Sequence, residues 1–329
     1  MKLVDRLSLE FGSSPDQLRR IIATAPARYA HFTIDKRNGD KRLIAQPAAE
    51  LKALQRILVR RVLNRLPVHP AAFAYVKDKN IRANAAMHCR SEHILKLDFT
   101  NFFNSLVPVN LERVLRRHND LIGVSPVDFE DLYRLVFWGI KSTIPRCLSV
   151  GAPSSPFLSN ALMYDVDTYL TDVAVNLGVV YTRYADDITA SCVGDRGKLI
   201  AFERQVLPAV AASQLSLSLN EDKRGIYGRG DRRMVTGLII TPNGEISVGR
   251  DRKREIRSLV HRISQGQRDP KSLMRTKGLL AFLVSAEPTY LASLSKSYGP
   301  ELLREIFTME NITFYGSIVD EIWDSVDLK

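Results

Sequence analysis

Polar and apolar residues alternate along this chain in short blocks, and the period of the blocks changes from one region to the next. Residues 1–25 read as short helices around the turn Gly12-Ser13-Ser14-Pro15. His31-Phe32-Thr33-Ile34 and Arg42-Leu43-Ile44 are strand-like runs on either side of Asn38-Gly39-Asp40, the pattern of a β-hairpin. Leu51, Leu54, Leu58 and Val62 then recur at helical spacing after Pro47, which stands where a first-turn proline would, and Pro67 ends the pattern. Lys52, Arg56, Arg60 and Arg61 give that helix a basic face. Residues 93–98, His-Ile-Leu-Lys-Leu-Asp, read as a buried strand ending on an acid. Residues 111–140 read as mostly helical, and Ser155-Pro156 starts another helix with Leu158, Leu162 and Val166 on one stripe. Residues 179–193 read as two apolar strands around Ala185-Asp186-Asp187, and 199–213 as a helix. Residues 233–248 predict a second hairpin around Pro242-Asn243-Gly244, and the chain from Arg250 onward reads as all-helical. Hairpins and helical excursions join the strands, so the class is α+β rather than a doubly wound sheet.

Composition narrows the classes. The chain has 329 residues, 45% hydrophobic and 25% charged, enough for two or three subdomains around one core. No uncharged apolar window reaches the length of a membrane span, and the charged start Met1-Lys2-Leu3-Val4-Asp5-Arg6 is unlike a signal peptide. Cys89, Cys147 and Cys192 lie far apart without a CxxC, which argues against a zinc ribbon or disulfide framework and suits a reducing, cytoplasmic setting. The net charge is +11, and it is uneven. Residues 223–277 hold 15 Lys/Arg against 5 Asp/Glu, whereas residues 301–329 hold 2 against 7. A concentrated positive block is expected of a surface that tracks a polyanion such as nucleic acid. The acidic end is amphipathic, with Ile318, Ile322, Trp323 and Val326 apolar, and predicts helix packing or a partner contact.

The sharpest chemical feature is Tyr184-Ala185-Asp186-Asp187. Two adjacent carboxylates in a tight hairpin repel each other, and their side chains cannot both face the core because neighbours alternate across a strand. An ordinary Asp-Asp turn pair has the same look in isolation. A compensating cation makes the arrangement most tolerable, and Mg²⁺ prefers carboxylate oxygens, water and phosphate. Asp98 ends a second buried strand. Two acid-tipped strands side by side would form a two-metal site for in-line displacement at a phosphate.

These residues carry a resemblance. Tyr184-Ala185-Asp186-Asp187 after an apolar strand, with Asp98-Phe99-Thr100-Asn101-Phe102-Phe103 upstream, resembles motifs C and A of reverse transcriptases. Gly151-Ala152-Pro153-Ser154-Ser155-Pro156 is similar to motif B, Leu219-Asn220-Glu221-Asp222-Lys223 to motif D, and residues 39–56 to the fingers motifs. Asn84-Ala85-Ala86-Met87-His88 and Val235-Thr236-Gly237 resemble the NAxxH and VTG signatures of retron reverse transcriptases. The resemblance implies a right-hand polymerase: fingers at 1–90, palm at 91–106, a fingers/palm insertion at 107–150, palm with a primer-grip-like hairpin at 151–249, and a helical thumb at 250–329.

It also implies roles. Asp98, Asp186 and Asp187 are the catalytic acids and, with the Phe99 carbonyl, the ligands of two Mg²⁺ ions. Lys41 and Arg42 would meet the dNTP triphosphate, Phe103 would act as the steric gate against ribonucleotides, Gly151 and Pro153 would shape the nucleotide site, and Lys223 would protonate or neutralise the leaving pyrophosphate. Asn84, His88, Arg232, Arg233, Val235, Thr236, Gly237, Arg250, Lys253, Arg254, Arg257 and His261 are the expected RNA and DNA contacts. Motif B departs from the family in carrying Val150 where a glutamine is usual, which bears on nucleotide handling rather than on the metal chemistry. The implied partners are a structured non-coding RNA that serves as template and primer, its cDNA, and a separate effector protein, with no membrane. Two alternatives stay open: a group II-like or abortive-infection reverse transcriptase with another priming mode, and a non-catalytic RNA-binding scaffold on the same fold.

Overall fold

Order at the N-terminus starts from a capping box. The Ser14 hydroxyl accepts from the Gln17 N–H while the Gln17 carboxamide accepts from the Ser14 N–H, and Pro15 opens the helix Pro15–Thr24. The computed structural model describes residues 2–35, 39 and 41–308 of the chain. In it β1 (Tyr29–Asp35) and β2 (Lys41–Pro47) pair antiparallel from Tyr29↔Pro47 to Asp35↔Lys41. This is the expected hairpin; of its turn, only Gly39 falls within the described residues. Pro47 closes β2 instead of opening the next helix, which runs Ala49–Arg61 with Leu51, Leu54 and Leu58 buried. The buried Gln55 carboxamide ties that helix to its neighbours, donating to Tyr29 Oη at 3.0 Å and to the Leu135 carbonyl at 2.7 Å.

The central sheet contains β3 (His93–Asp98), β4 (Val180–Tyr184), β5 (Asp187–Cys192) and β6 (Gly225–Tyr227), in the order β4-β5-β3-β6 with every pair antiparallel. Ile94, Leu95 and Leu97 of β3 and Ile188 and Ala190 of β5 are buried. Helices Tyr164–Leu177 and Gly197–Glu203 pack on β4 and β5, which explains strands apolar on both faces. The region expected to be helical over 111–140 breaks into Pro108–Arg117, Asn119–Ile122 and Phe129–Val136. It leaves the helix at Phe137, where Trp138 bridges to Cys147.

The expected turn at Pro242-Asn243-Gly244 forms, and a further, tighter hairpin precedes it. β7 (Met234–Val235) and β8 (Leu238–Ile240) are joined by Thr236 and Gly237 alone, at φ 46° and 80°. The Pro242-Asn243-Gly244 turn follows it, closed by Gly244 N–H to Thr241 O and Thr241 N–H to Glu245 O, both 2.9 Å.

The chain divides into two compact units, residues 1–245 and 246–329. The second holds helices Arg250–Ser264, Pro270–Ala286, Pro288–Tyr298 and Pro300–Thr308, three of them opened by a proline that needs no N–H partner there. Ile256, Leu259, Val260, Ile263, Leu280 and Leu283 are buried among them. The acidic segment of the C-terminus lies largely outside the described residues. Among the described residues no helix is long and apolar enough to cross a membrane.

Candidate active site

Register brings the acids together. β3 and β5 pair so that Asp98 stands opposite Asp187. The β4–β5 hairpin closes with the pair Tyr184↔Asp187, leaving Ala185 and Asp186 as a two-residue turn. Ala185 sits at φ 57°, a left-handed conformation that costs a residue with a Cβ roughly 1–2 kcal/mol. Such strain persists only where the surroundings over-determine it. The Phe99 N–H donates to the Asp186 carbonyl at 3.1 Å, and the Asp98 carbonyl accepts from the Asn220 N–H at 2.8 Å. The end of β3 is thereby held between the acidic turn and the Leu219–Lys223 segment. Lys223 projects from a short 3₁₀ turn and places Nζ 2.6 Å from Asp98 Oδ1.

The electrostatics are those of crowded anions. Burial, then the charge of Asp98, pushes the Asp186 carboxyl upward, opposed by Lys223 and Arg42. Burial, then Asp186, then hydrogen bonding with Asp98, pushes Asp187 upward as well. Lys223 supplies one positive charge directly on an acid.

Beneath the turn lies a network that no motif in the sequence announces. Arg183 and Asp167 are completely buried and paired, with Nε to Oδ1 at 2.8 Å and Nη2 to Oδ2 at 2.6 Å. Tyr181 Oη donates to Asp167 Oδ1 at 2.7 Å, and Arg183 Nη1 donates to the Asn160 Oδ1 at 3.1 Å and the Ala185 carbonyl at 2.9 Å. The guanidinium therefore holds the strained residue of the acidic turn from below. A charged residue inside the apolar run Val179-Val180-Tyr181-Thr182-Arg183 was the available signal.

Residues 34–240 match the family described as Reverse transcriptase (RNA-dependent DNA polymerase). Retron Ec83 reverse transcriptase of Escherichia coli is 34% identical over 290 residues, covering 87% of this chain and 92% of that protein. The chain belongs to the retron reverse transcriptases. Retron Ec86 reverse transcriptase of Escherichia coli is 32% identical, covering 90% of each chain, and Retron Mx162 reverse transcriptase of Myxococcus xanthus is 32% identical over 89% of this chain and 66% of its own. The fold is accordingly the right-hand polymerase fold, and the activity is RNA-directed DNA polymerisation.

Reverse transcriptases work with divalent cations and deoxynucleotides, and the donor set here fits such an ion. Three neighbouring carboxylates, two of them driven upward by burial and repulsion, are offset by the charges of Lys223, Arg42 and Lys96. Among the described residues no group of three acidic, histidine or cysteine side chains is by itself arranged to hold a metal ion. An open set of carboxylates leaves positions for water and phosphate oxygens, the surroundings Mg²⁺ prefers.

The residues expected at the nucleotide fall into place differently. Arg42 is exposed on β2 and acts electrostatically on Asp186, while Lys41 is exposed beside it at the start of the strand. Phe103 is half-buried and meets the buried Phe102 edge-on, ring centres 5.4 Å apart. Gly151 has φ 119°, and a Cβ there would approach the Ala45 carbonyl to 3.1 Å, so this glycine is required by its contact with β2. The Val150 carbonyl accepts from the Ala45 N–H at 2.9 Å in the same contact. Pro153 is half-buried, and the hydroxyls of Ser149, Ser154 and Ser155 around this turn are buried without hydrogen-bond partners.

Several expected nucleic-acid contacts are corrected. His88 is fully buried, with Nδ1 2.7 Å from Ser191 Oγ and Nε2 2.8 Å from Thr182 Oγ1, so it staples its helix to β4 and β5. Asn84 and Val235 are also fully buried. Arg233 is buried as well, donating to the carbonyl of Ser91 at 2.6 Å and to that of Thr241, because it closes the end of the β7–β8 region. Lys253 is neutralised by Glu287 at 2.5 Å and lies over the Tyr290 ring, so its charge is spent inside the helical unit. Arg232, Gly237, Arg250, Arg254, Arg257 and His261 are exposed. The two signature segments meet: helix Ile81–Met87 packs on β7 and β8, and Thr236 Oγ1 donates to the Ile81 carbonyl at 3.1 Å. The signatures thus build one structural joint.

Proposed function

We propose that this reverse transcriptase copies a dedicated structured non-coding RNA into single-stranded DNA, starting from the 2′-OH of an internal guanosine to give a branched RNA–DNA hybrid. The observation that carries the catalytic part is the Asp98↔Asp187 register, which sets both acid-bearing segments at one end of the sheet with Lys223 on Asp98. The retron part is supported by the relatives of 32–34% identity and by the two signature segments.

In this reading Asp98, Asp186 and Asp187, with the Phe99 carbonyl, hold two Mg²⁺ ions. The ions, when bound, lower the pKa of the attacking hydroxyl and stabilise charge on the phosphate undergoing in-line displacement. Arg42 and Lys41 steady the triphosphate, Arg42 as a two-point clamp. Phe103 lies under the sugar and rejects a 2′-OH. Gly151 and Pro153 keep the β2-facing turn close to the nucleotide. Lys223 exchanges Asp98 for the leaving pyrophosphate, where its ammonium donates a proton or neutralises charge. Arg232, Arg250, Arg254, Arg257 and His261 follow the phosphates of the template and product strand. Residues 1–90 and 107–150 act as fingers, 91–106 and 151–249 as palm, and 250–329 as thumb. The enzyme serves as the DNA-synthesising part of a cytoplasmic phage-defence module whose effector is a separate chain.

The experiment is analysis of nucleic acid that co-purifies with the protein. DNA whose 5′ end is joined to RNA through a debranching-sensitive bond supports the proposal. Unbranched cDNA would point to a group II-like or abortive-infection enzyme with another priming mode.

A further inference from the structure

The loop from His69 to Asn80 holds one aromatic side chain in the open beside the acids. Its backbone is pinned to β4, with the Arg183 N–H donating to Ala71 O and the Phe73 N–H to Arg183 O, both at 2.8 Å. Lys79 braces it from within, donating to Ala72 O at 3.0 Å with its ammonium 4.5 Å from the centre of the Phe73 ring. The Ala74 carbonyl accepts from Asn160 Nδ2 at 2.7 Å. Asn160 Oδ1 in turn accepts from Arg183 Nη1, the nitrogen that also donates to Ala185 O. Two buried side chains therefore bridge the carbonyls of Ala74 and Ala185. The residues that follow are Tyr75 and Asp186.

Tyr75 is held at φ 60° and remains 51% exposed. Glycine adopts this conformation freely and aspartate tolerates it, as Asp78 does at φ 63° in the same loop, but a bulky residue there is an outlier. Packing gives no reason for a large exposed ring at a strained position. Burial, then the charge of Asp186 and Tyr184, pushes its phenol up, opposed by Arg42 and Arg183, so the electrostatics of the acidic turn, its support and the β2 arginine act on this ring. The ring thus stands at the rim of the polymerisation site on a loop locked to the same guanidinium as the turn itself.

We propose that Tyr75 is a nucleotide-contact residue whose ring stacks on a nucleotide seated at Asp98, Asp186 and Asp187, with the braced loop holding the ring in place. The inference rests on the polymerase reading of those acids and adds a residue to it. Every nucleobase has a π-face, so the stacked partner is either the incoming dNTP or the nucleotide bearing the attacking hydroxyl.

The test compares wild type with Tyr75→Phe, Tyr75→Ala and Tyr75→Gly in dNTP KM, kcat and template–primer Kd. The glycine variant removes the ring and the backbone strain together, so its thermal midpoint should not fall below that of the alanine variant. Tyr75→Phe should stay within about twofold of wild type, while the alanine and glycine variants should lose about tenfold, the scale of one base–aromatic stack. A loss in dNTP KM assigns the incoming nucleotide; a loss in template–primer Kd assigns the primer nucleotide. Unchanged KM and Kd in both truncations would overturn the proposal, as would a phenylalanine variant as impaired as alanine. Absent extension by wild type, or full extension by Asp186→Asn, would instead signal failure of the polymerase reading.

Discussion

At the scale of single residues, the site combines features readable from sequence with features visible only in three dimensions. The acids are legible because each ends or interrupts an apolar strand. Arg183 and Asp167 are not, since they are distant in sequence and become partners only when the helix Tyr164–Leu177 packs on β4. Gly151 illustrates a residue whose identity has a reason the motif does not state, its close approach to Ala45. Val150, next to it, sends its carbonyl to Ala45 while its side chain is half-buried. On the proposed nucleotide site, a glutamine there would offer the nucleotide a carboxamide while leaving that backbone bond in place. Val150→Gln is expected to lower the dNTP KM by about tenfold, the worth of one or two hydrogen bonds to a charged ligand. Steady-state kinetics with each dNTP check this, and an unchanged KM would make position 150 a packing site only.

At the scale of elements, the strands and helices follow their periodicity, and the departures lie at turns. Asn243-Gly244 is the stronger turn signal and does form a turn, but the additional two-residue turn at Thr236-Gly237 puts a β-branched residue at φ 46°, which gives no sequence sign of a tight turn. His88 reads from sequence as a contact for RNA only through its place in the NAxxH-like segment. Its partners Thr182 and Ser191 come from strands that the sequence cannot place beside it. Burial lowers its pKa from 6.5 to about 3, so the folded protein keeps it neutral where the unfolded chain takes up a proton. The unfolded state then binds more protons, and stability rises with pH. This contribution is complete above pH 6.5 and is lost progressively as the pH falls toward 3. His88→Gln, which does not titrate, should reduce the loss of unfolding free energy between pH 6.5 and 5 by about 2 kcal/mol. Urea denaturation at the two pH values measures it; equal losses in both proteins would contradict the assignment.

At the scale of the whole molecule, the surplus of positive charge is unevenly distributed and partly consumed. Of the basic block, Arg233 is buried against carbonyls and Lys253 is paired with Glu287, while Arg254 and Arg257 are exposed on the helix Arg250–Ser264. Exposed arginines one turn apart on a helix suit the repeating phosphates of a nucleic-acid backbone. Replacing both Arg254 and Arg257 by alanine should weaken RNA binding and reduce the slope of log K against log salt by about 2, one for each phosphate no longer neutralised. An unchanged slope would remove that helix from the interface. The polymerase class is legible in the sequence because its chemistry is local to short motifs. The joint between the two signature segments is not, because it depends on packing between distant stretches.

The central claim is that the acids at the ends of β3 and the β4–β5 hairpin carry out RNA-templated DNA synthesis, and incorporation of labelled dNTP on a primed RNA template tests it most directly. Wild type should extend the primer, and Asp186→Asn, which keeps the turn but removes the charge, should lose extension while retaining RNA binding. Equal extension by the two proteins would contradict the account.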